Sequence, residues 1–314
     1  MESQTTVQPE GRSQRERIWA ALAVAVISIS FAAALFIQAE PTHALAKAGI
    51  RLAFAGVLLA PWVARAWKNG RLRRRFVLHG ALGGVFYAIH FGAWVSSLEG
   101  TSITASVTLV TATPFLLAMW GLLSGQDRPQ KRHWLAIVLA LIGVSIVTFH
   151  DAGQGQASVV ANVMALLGAA GMAGYLLTAR RLGDSVDVWA FSGIATGVGA
   201  LVLGCVALAA DIPFQAGSTE ALGYLLLAAL VPQLIGHSAL TWVLRFRSPT
   251  LVGIATVGEP VGATVVGYVW LGLGVDVFTM LGCALTLLAV LVAIYEPRSR
   301  PAELSGPKGN VDGR

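Results

Sequence analysis

Histidines aside, three ionisable side chains of this sequence fall inside long apolar stretches: Lys47, Arg51 and Glu259. Charge placed in hydrocarbon is costly and marks function more often than architecture. Lys47 and Arg51 are four residues apart, which puts them on one helix face about one turn apart. Lys47 lies close enough to the end of its stretch to snorkel toward water. Arg51 lies about 10 Å deep, counting 1.5 Å of rise per residue. Glu259 falls near the middle of its own stretch, at a depth an arginine side chain could reach from position 51. Arg51 and Glu259 are therefore expected to act as an ion pair or in coupling. For Glu259 three roles stand open: a proton-coupling carboxylate, a ligand for a cationic substrate group, or a structural partner of Arg51.

Polar and aromatic residues recur at helical spacing in four other stretches. Tyr87, His90, Phe91 and Trp94 form one stripe, and Gln233, His237 and Thr241 another at i, i+4, i+8. Thr104, Thr108 and Thr111 lie close to one face, and Tyr175 with Thr178 sits among glycine and alanine. The expected substrate pathway is Tyr87, His90, Trp94, Thr108, Thr111, Tyr175, Gln233 and His237. The competing reading makes the histidines satisfied interhelical donors and the threonines partners of their own backbone. Pro114, Pro232 and Pro260 interrupt apolar stretches, and each frees a carbonyl that protein or a wet cavity must satisfy. Pro114 and Pro260 are expected as functional helix breaks, hinges or substrate-facing carbonyls, against ordinary kinks. Cys205 and Cys283 lie inside apolar runs without metal-ligand spacing, and no phosphate loop or nucleophile motif appears. With a single membrane carboxylate, the chain is expected to carry no catalytic residue, metal or cofactor, and not to be an enzyme.

The elements that hold these residues follow from composition. The chain has 314 residues, 55% hydrophobic and 12% charged, with mean hydropathy +0.69. A soluble protein carries about 25% charged residues, so a soluble enzyme, a disordered chain and a nucleic-acid-binding protein are excluded. Ten runs approach the roughly 20 residues that cross a bilayer: 18–38, 44–64, 76–97, 103–123, a shorter 134–149, 157–178, 188–210, 221–243, 250–271 and 277–295. Segments 1–17 and 296–314 are polar and read as disordered tails. Placing the N-terminus in the cytoplasm puts every lysine and arginine except Lys47 and Arg51 on inner segments. The outer loops then carry only Glu40, Glu99, Asp151, Asp211, Glu220 and Asp276. That asymmetry predicts ten spans with both termini cytoplasmic. The net charge of +6 thus reports orientation rather than affinity for nucleic acid.

Ten spans divide into five and five, and an odd number forces the second set to cross in the opposite sense. Sliding the chain by 146 residues places Pro114 on Pro260, Ala136 on Gly282, and His90 within one position of His237. The expected organisation is an all-α integral membrane protein of two inverted five-helix repeats, 18–150 and 157–295. Inverted repeats are a device of transporters, with the site near the midplane between the halves.

At this level the sequence resembles the drug/metabolite transporter superfamily, EamA type. The resemblance rests on Arg51 early in span two, Thr113-Pro114, and Glu259-Pro260 in span nine. It rests also on Gly125-Gln126-Asp127-Arg128 ahead of Trp134-Leu135-Ala136 and Ile142-Gly143, and on Tyr175 with Ala179-Arg180-Arg181. It extends over residues 18–295. It departs in having Asp127 where the family has Glu, in lacking the acidic counterpart near Leu273-Gly274, and in lacking the tryptophan of span one. The resemblance implies secondary active transport, often export, of small metabolites.

The functional expectation is alternating access between the two repeats in a bacterial inner (plasma) membrane, with no nucleic-acid partner. The cargo is expected to be an amino acid or similar small solute, with protons as coupling ion and the bilayer as partner. The alternatives are efflux of drugs or lipophilic cations and, in another class, a lipid flippase or intramembrane enzyme.

Overall fold

The computed structural model describes residues 12–153, 158–182 and 187–295, and every regular element among them is a helix. In chain order these are α1 (Arg12–Ile29), α2 (Ala32–Gln38), α3 (Ala44–Lys68), α4 (Arg74–Ser97), α5 (Ile103–Val110), α6 (Thr113–Ser124), α7 (Lys131–Gly153), α8 (Val159–Arg180), α9 (Val188–Ala209), α10 (Thr219–Ala228), a π-helical segment (Ala229–His237), α11 (Ser238–Val243), α12 (Pro249–Thr256), α13 (Glu259–Leu271) and α14 (Val277–Ile294). An apolar chain in lipid must satisfy its backbone internally, and the helix does this within one segment. Read through their breaks, nine of these paths among the described residues are long and apolar enough to cross a membrane. The remaining expected span is α7, 23 residues long, which packs lengthwise on α14.

One expectation is corrected at the N-terminus. The helix starts at Arg12 rather than Ile18, so residues 12–17 extend the first span, and 13–17 are exposed beyond its apolar stretch. The remaining tail residues, 1–11 and 296–314, lie outside the described residues.

The two halves match most closely in their last two spans. Ser102 caps α5 by accepting from the Ala105 N–H at 3.0 Å, and Ser248, 146 residues on, caps α12 by accepting from Leu251 at 3.3 Å. The same offset relates the ends of α5 and α12, the starts of α6 and α13, and the starts of α7 and α14. Gly125 and Gly272 close α6 and α13 at φ of 70° and 67°, left-handed conformations that glycine adopts without steric cost. Packing follows the repeat: α3 lies on α9, α5–α6 on α12–α13, and α7 on α14. The contact of α4 with α8 is mirrored by that of the π segment and α11 with α1.

Small residues set the closest approaches. A Cβ at Gly143 would meet the Gly282 carbonyl oxygen at 2.8 Å, and one at Gly282 would meet the Gly143 oxygen at the same distance. Helix interfaces in lipid use such residues to bring backbones together. A Cβ at Gly171 would stand 2.6 Å from the His90 nitrogen, so that glycine fixes how near the His90 helix comes to α8.

Side-chain links tie the loops at each end. At one end Lys47 pairs with Glu40, Glu99 accepts from the Ala44 N–H at 3.1 Å, and Thr42 accepts from the Gly217 N–H at 2.9 Å. At the other, Arg180 pairs with Asp127 at 3.4 Å and donates to the Leu244 carbonyl at 2.8 Å, while Arg71 approaches Asp187 at 3.9 Å.

Gly143→Ala is expected to lower thermal stability in detergent, by about 1–3 kcal/mol as for other overpacked sites. Gly223→Ala, whose Cβ meets nothing within 4 Å, serves as the comparison and is expected to leave the melting temperature unchanged or slightly raised.

Candidate functional site

The breaks in spans one, four and nine, together with the π segment of span eight, converge on one small chamber. Its wall includes Ile29, Ala32, His90, Trp94, Thr111 and Thr113, and from the second repeat His237, Thr256 and Glu259. The chamber measures about 20 Å³. One water needs roughly 10–15 Å³ of such space, so the fold is closed around a site too small for an organic solute.

Each wall residue is placed by a local device. Pro114 and Pro260 stand at the second positions of α6 and α13 and cannot continue the helices before them, so spans four and nine break on either side of the chamber. Pro232 cannot serve the carbonyl of Ala228, and the chain answers with a wide π turn carrying Gln233 and His237. His90 Nδ1 lies 2.8 Å from the Gly168 carbonyl. A carbonyl only accepts, so Nδ1 carries the hydrogen and a neutral ring leaves Nε2 as an acceptor.

Arg51 is fully buried beside this chamber. Its Nη2 donates to Gln233 Oε1 at 2.9 Å, and its guanidinium carbon lies 4.2 Å from the Phe91 ring centroid and 5.4 Å from that of Phe36. Rings offer a cation their negative faces. No carboxylate of the described residues comes within 4.0 Å of Arg51, so the expected direct ion pair with Glu259 is replaced by an amide and two aromatic faces. Lys47, expected to snorkel, is buried, with its ammonium held by Glu40 of the adjoining loop.

The expected pathway residues are all buried. His90, Trp94, Thr111 and His237 line the chamber, joined by the half-buried Glu259 of the expected coupling pair. Tyr87, Tyr175 and Gln233 lie behind it. Tyr87 and Tyr175 stack with ring centroids 3.8 Å apart, Tyr175 shares a 2.8 Å hydrogen bond with Thr241, and Tyr87 meets the edge of His237 at 5.8 Å. Thr108 is buried outside the chamber wall. The sequence reading missed Thr113, Thr256, Phe36 and the cation-holding role of Phe91. The 146-residue offset, which sets Thr113 opposite Glu259, was the available signal for the first.

Several polar atoms here have no hydrogen-bond partner among the described residues: Arg51 Nε and Nη1, Trp94 Nε1 and His237 Nδ1. Buried polar groups are normally satisfied, and the unpaired N–H groups of Arg51 and Trp94 call for a ligand rich in acceptors. Among the described residues no group of histidine, cysteine and acidic side chains is arranged to hold a metal ion.

Comparison with known proteins decides the family. The model of the EamA-like transporter family matches twice, over residues 15–149 and 159–295. The chain belongs to the EamA-like transporter family. It is therefore a multi-pass membrane protein of a transporter family rather than an enzyme family. A relative in Bacillus subtilis (strain 168), named as the uncharacterized transporter YwfM, is 26% identical over 271 residues, covering 83% of this chain and 88% of its own. A solved crystal structure superposes with a TM-score of 0.69 at 16% identity, covering 89% of this chain and 96% of the other, a likeness of fold alone.

Gln233→Leu is expected to leave the buried guanidinium with aromatic faces only, and to cost about 2–3 kcal/mol, the scale of a hydrogen bond to a charged group. Adding Arg51→Met to Gln233→Leu should recover part of that loss. A double-mutant cycle on detergent melting curves measures the coupling.

Proposed function

We propose that this protein is a secondary active carrier of a small carboxylate-bearing solute, best matched by an amino acid, working by alternating access between its two repeats. The observation that carries the reading is the buried donor set beside one carboxylate. Arg51 and Trp94 offer unpartnered N–H groups suited to a solute carboxylate, His237 adds an unpartnered ring nitrogen, and Glu259 on the chamber wall suits its ammonium. The family, the break-related chamber and the closed state support transport by a carrier rather than a channel.

Export from the cytoplasm across a bacterial inner (plasma) membrane, with both termini inside, is supported by the arginine-rich end. There a cavity of about 1050 Å³ is lined by Arg71, Arg73, Arg75, Arg181 and Arg245, with Asp187 as its acidic member. Such a surface concentrates anionic groups. Proton coupling through Glu259 belongs to the same reading.

A second reading, efflux of lipophilic cations, is favoured by a groove of about 600 Å³ on the lipid-facing side, lined by Trp19, Val26, Phe31, Val265 and Leu287. Its Ser30 and Gly258 adjoin Ile29 and Glu259 of the chamber.

Counterflow in proteoliposomes separates the two. Labelled amino acids are expected to accumulate against an unlabelled internal pool, and Trp94→Phe is expected to weaken apparent affinity about tenfold or more by removing one donor to a charged group. Accumulation of lipophilic cations alone would select the second reading. No response to amino acids, purines or cations from folded protein would sink both.

A further inference from the structure

The two proline breaks carry different side chains ahead of the shared proline: Thr113-Pro114 in the first repeat, Glu259-Pro260 in the second. A proline nitrogen carries no hydrogen, so the carbonyl four residues back loses its helical donor. Those carbonyls belong to Val110 and Thr256, the last residues of α5 and α12. In the first repeat the Thr113 hydroxyl donates to the Val110 carbonyl at 3.0 Å and also reaches the Ala169 carbonyl at 3.2 Å. In the second repeat the same position holds a carboxyl, which donates only when protonated. The Thr256 hydroxyl is committed to the Gly253 carbonyl at 2.7 Å. Glu259 also occupies the first turn of the 13-residue α13, whose amide end favours a negative charge. By chain position it lies between a carbonyl end that has lost a helical donor and an amide end that favours an anion.

We infer that Glu259 is a proton switch built on the repeat. Protonated, it caps the Thr256 carbonyl as Thr113 caps that of Val110, and span nine is held closed. When the proton leaves to solvent, the ionised carboxylate turns toward the amide end of α13 and the Thr256 carbonyl becomes a free acceptor at the chamber wall, where it joins the carboxylate in facing a solute ammonium. The titratable groups facing it are His90 from α4 and His237 from the π segment, while Arg51 of α3 stays beyond 4.0 Å. The other chamber residues Ile29, Ala32, Val110, Thr111, Met172 and Leu240 do not titrate. The consequence for solute movement rests on the carrier reading; the switch itself does not.

The test uses the purified full chain in detergent, without solute, melted over a series of pH values. The capped form is the protonated one, so the wild-type melting temperature is expected to be highest in acid and to fall as the proton leaves. Glu259→Thr restores the first repeat's cap and should melt as the acidic wild type does, independently of pH. Glu259→Val, of the same shape without a donor, should be equally insensitive to pH but a few degrees lower, the scale of one buried hydrogen bond. Equal stability of the Thr and Val variants would overturn the inference. So would loss of the wild-type pH step in His90→Gln or His237→Gln. An infrared difference spectrum between acid and alkaline samples of wild type, referenced to Glu259→Gln, keeps the test open where Glu259→Val does not fold. Loss of a protonated-carboxyl band together with an amide I change supports the switch, and loss of that band without an amide change overturns it. Silence of every solute in counterflow would remove the carrier reading and leave these outcomes untouched.

Discussion

Everything in this molecule answers to one constraint: in hydrocarbon, each backbone N–H and C=O must find its partner inside the protein. Long unbroken helices such as α3, α8 and α9 meet it locally, and glycine contacts then bring them together. Where Pro114 breaks span four the constraint is met by the Thr113 side chain instead, and the chamber sits at that break and its counterpart at Pro260. The site is the place where the backbone's own hydrogen bonding stops being self-sufficient.

Much of this was legible in the residues. Nine spans and the starts of the later helices follow from apolar length and turn chemistry, because helix ends in a membrane coincide with abrupt changes of polarity. The repeat was legible because Ser102 and Ser248, or Pro114 and Pro260, keep their chemistry at one spacing. The start at Arg12 was not, since a polar turn extending out of the bilayer carries no apolar signature. Nor was the partner of Arg51. Depth along a helix axis can be counted from sequence, but which neighbour stands laterally beside a side chain cannot. An amide on a π turn, created by Pro232, took the place expected for the carboxylate. The ring faces of Phe36 and Phe91 were hidden for the same reason, since phenylalanine in an apolar run reads only as core.

The halves agree in overall packing and differ in local backbone and in chemistry. Span one breaks at Ser30 and Phe31 while its counterpart α8 is continuous, and span eight carries a π turn while α4 does not. In the proposed carrier, two scaffolds of related backbone and different side chains supply the two faces, because a rocking motion needs related conformations of comparable energy, not identical surfaces.

The closed chamber also bears on what the empty protein prevents. A space that holds about one water cannot support a file of hydrogen-bonded waters between the two ends. For the proposed carrier this means that the empty fold withholds a proton wire, and a gradient is drawn on only when cargo opens the chamber.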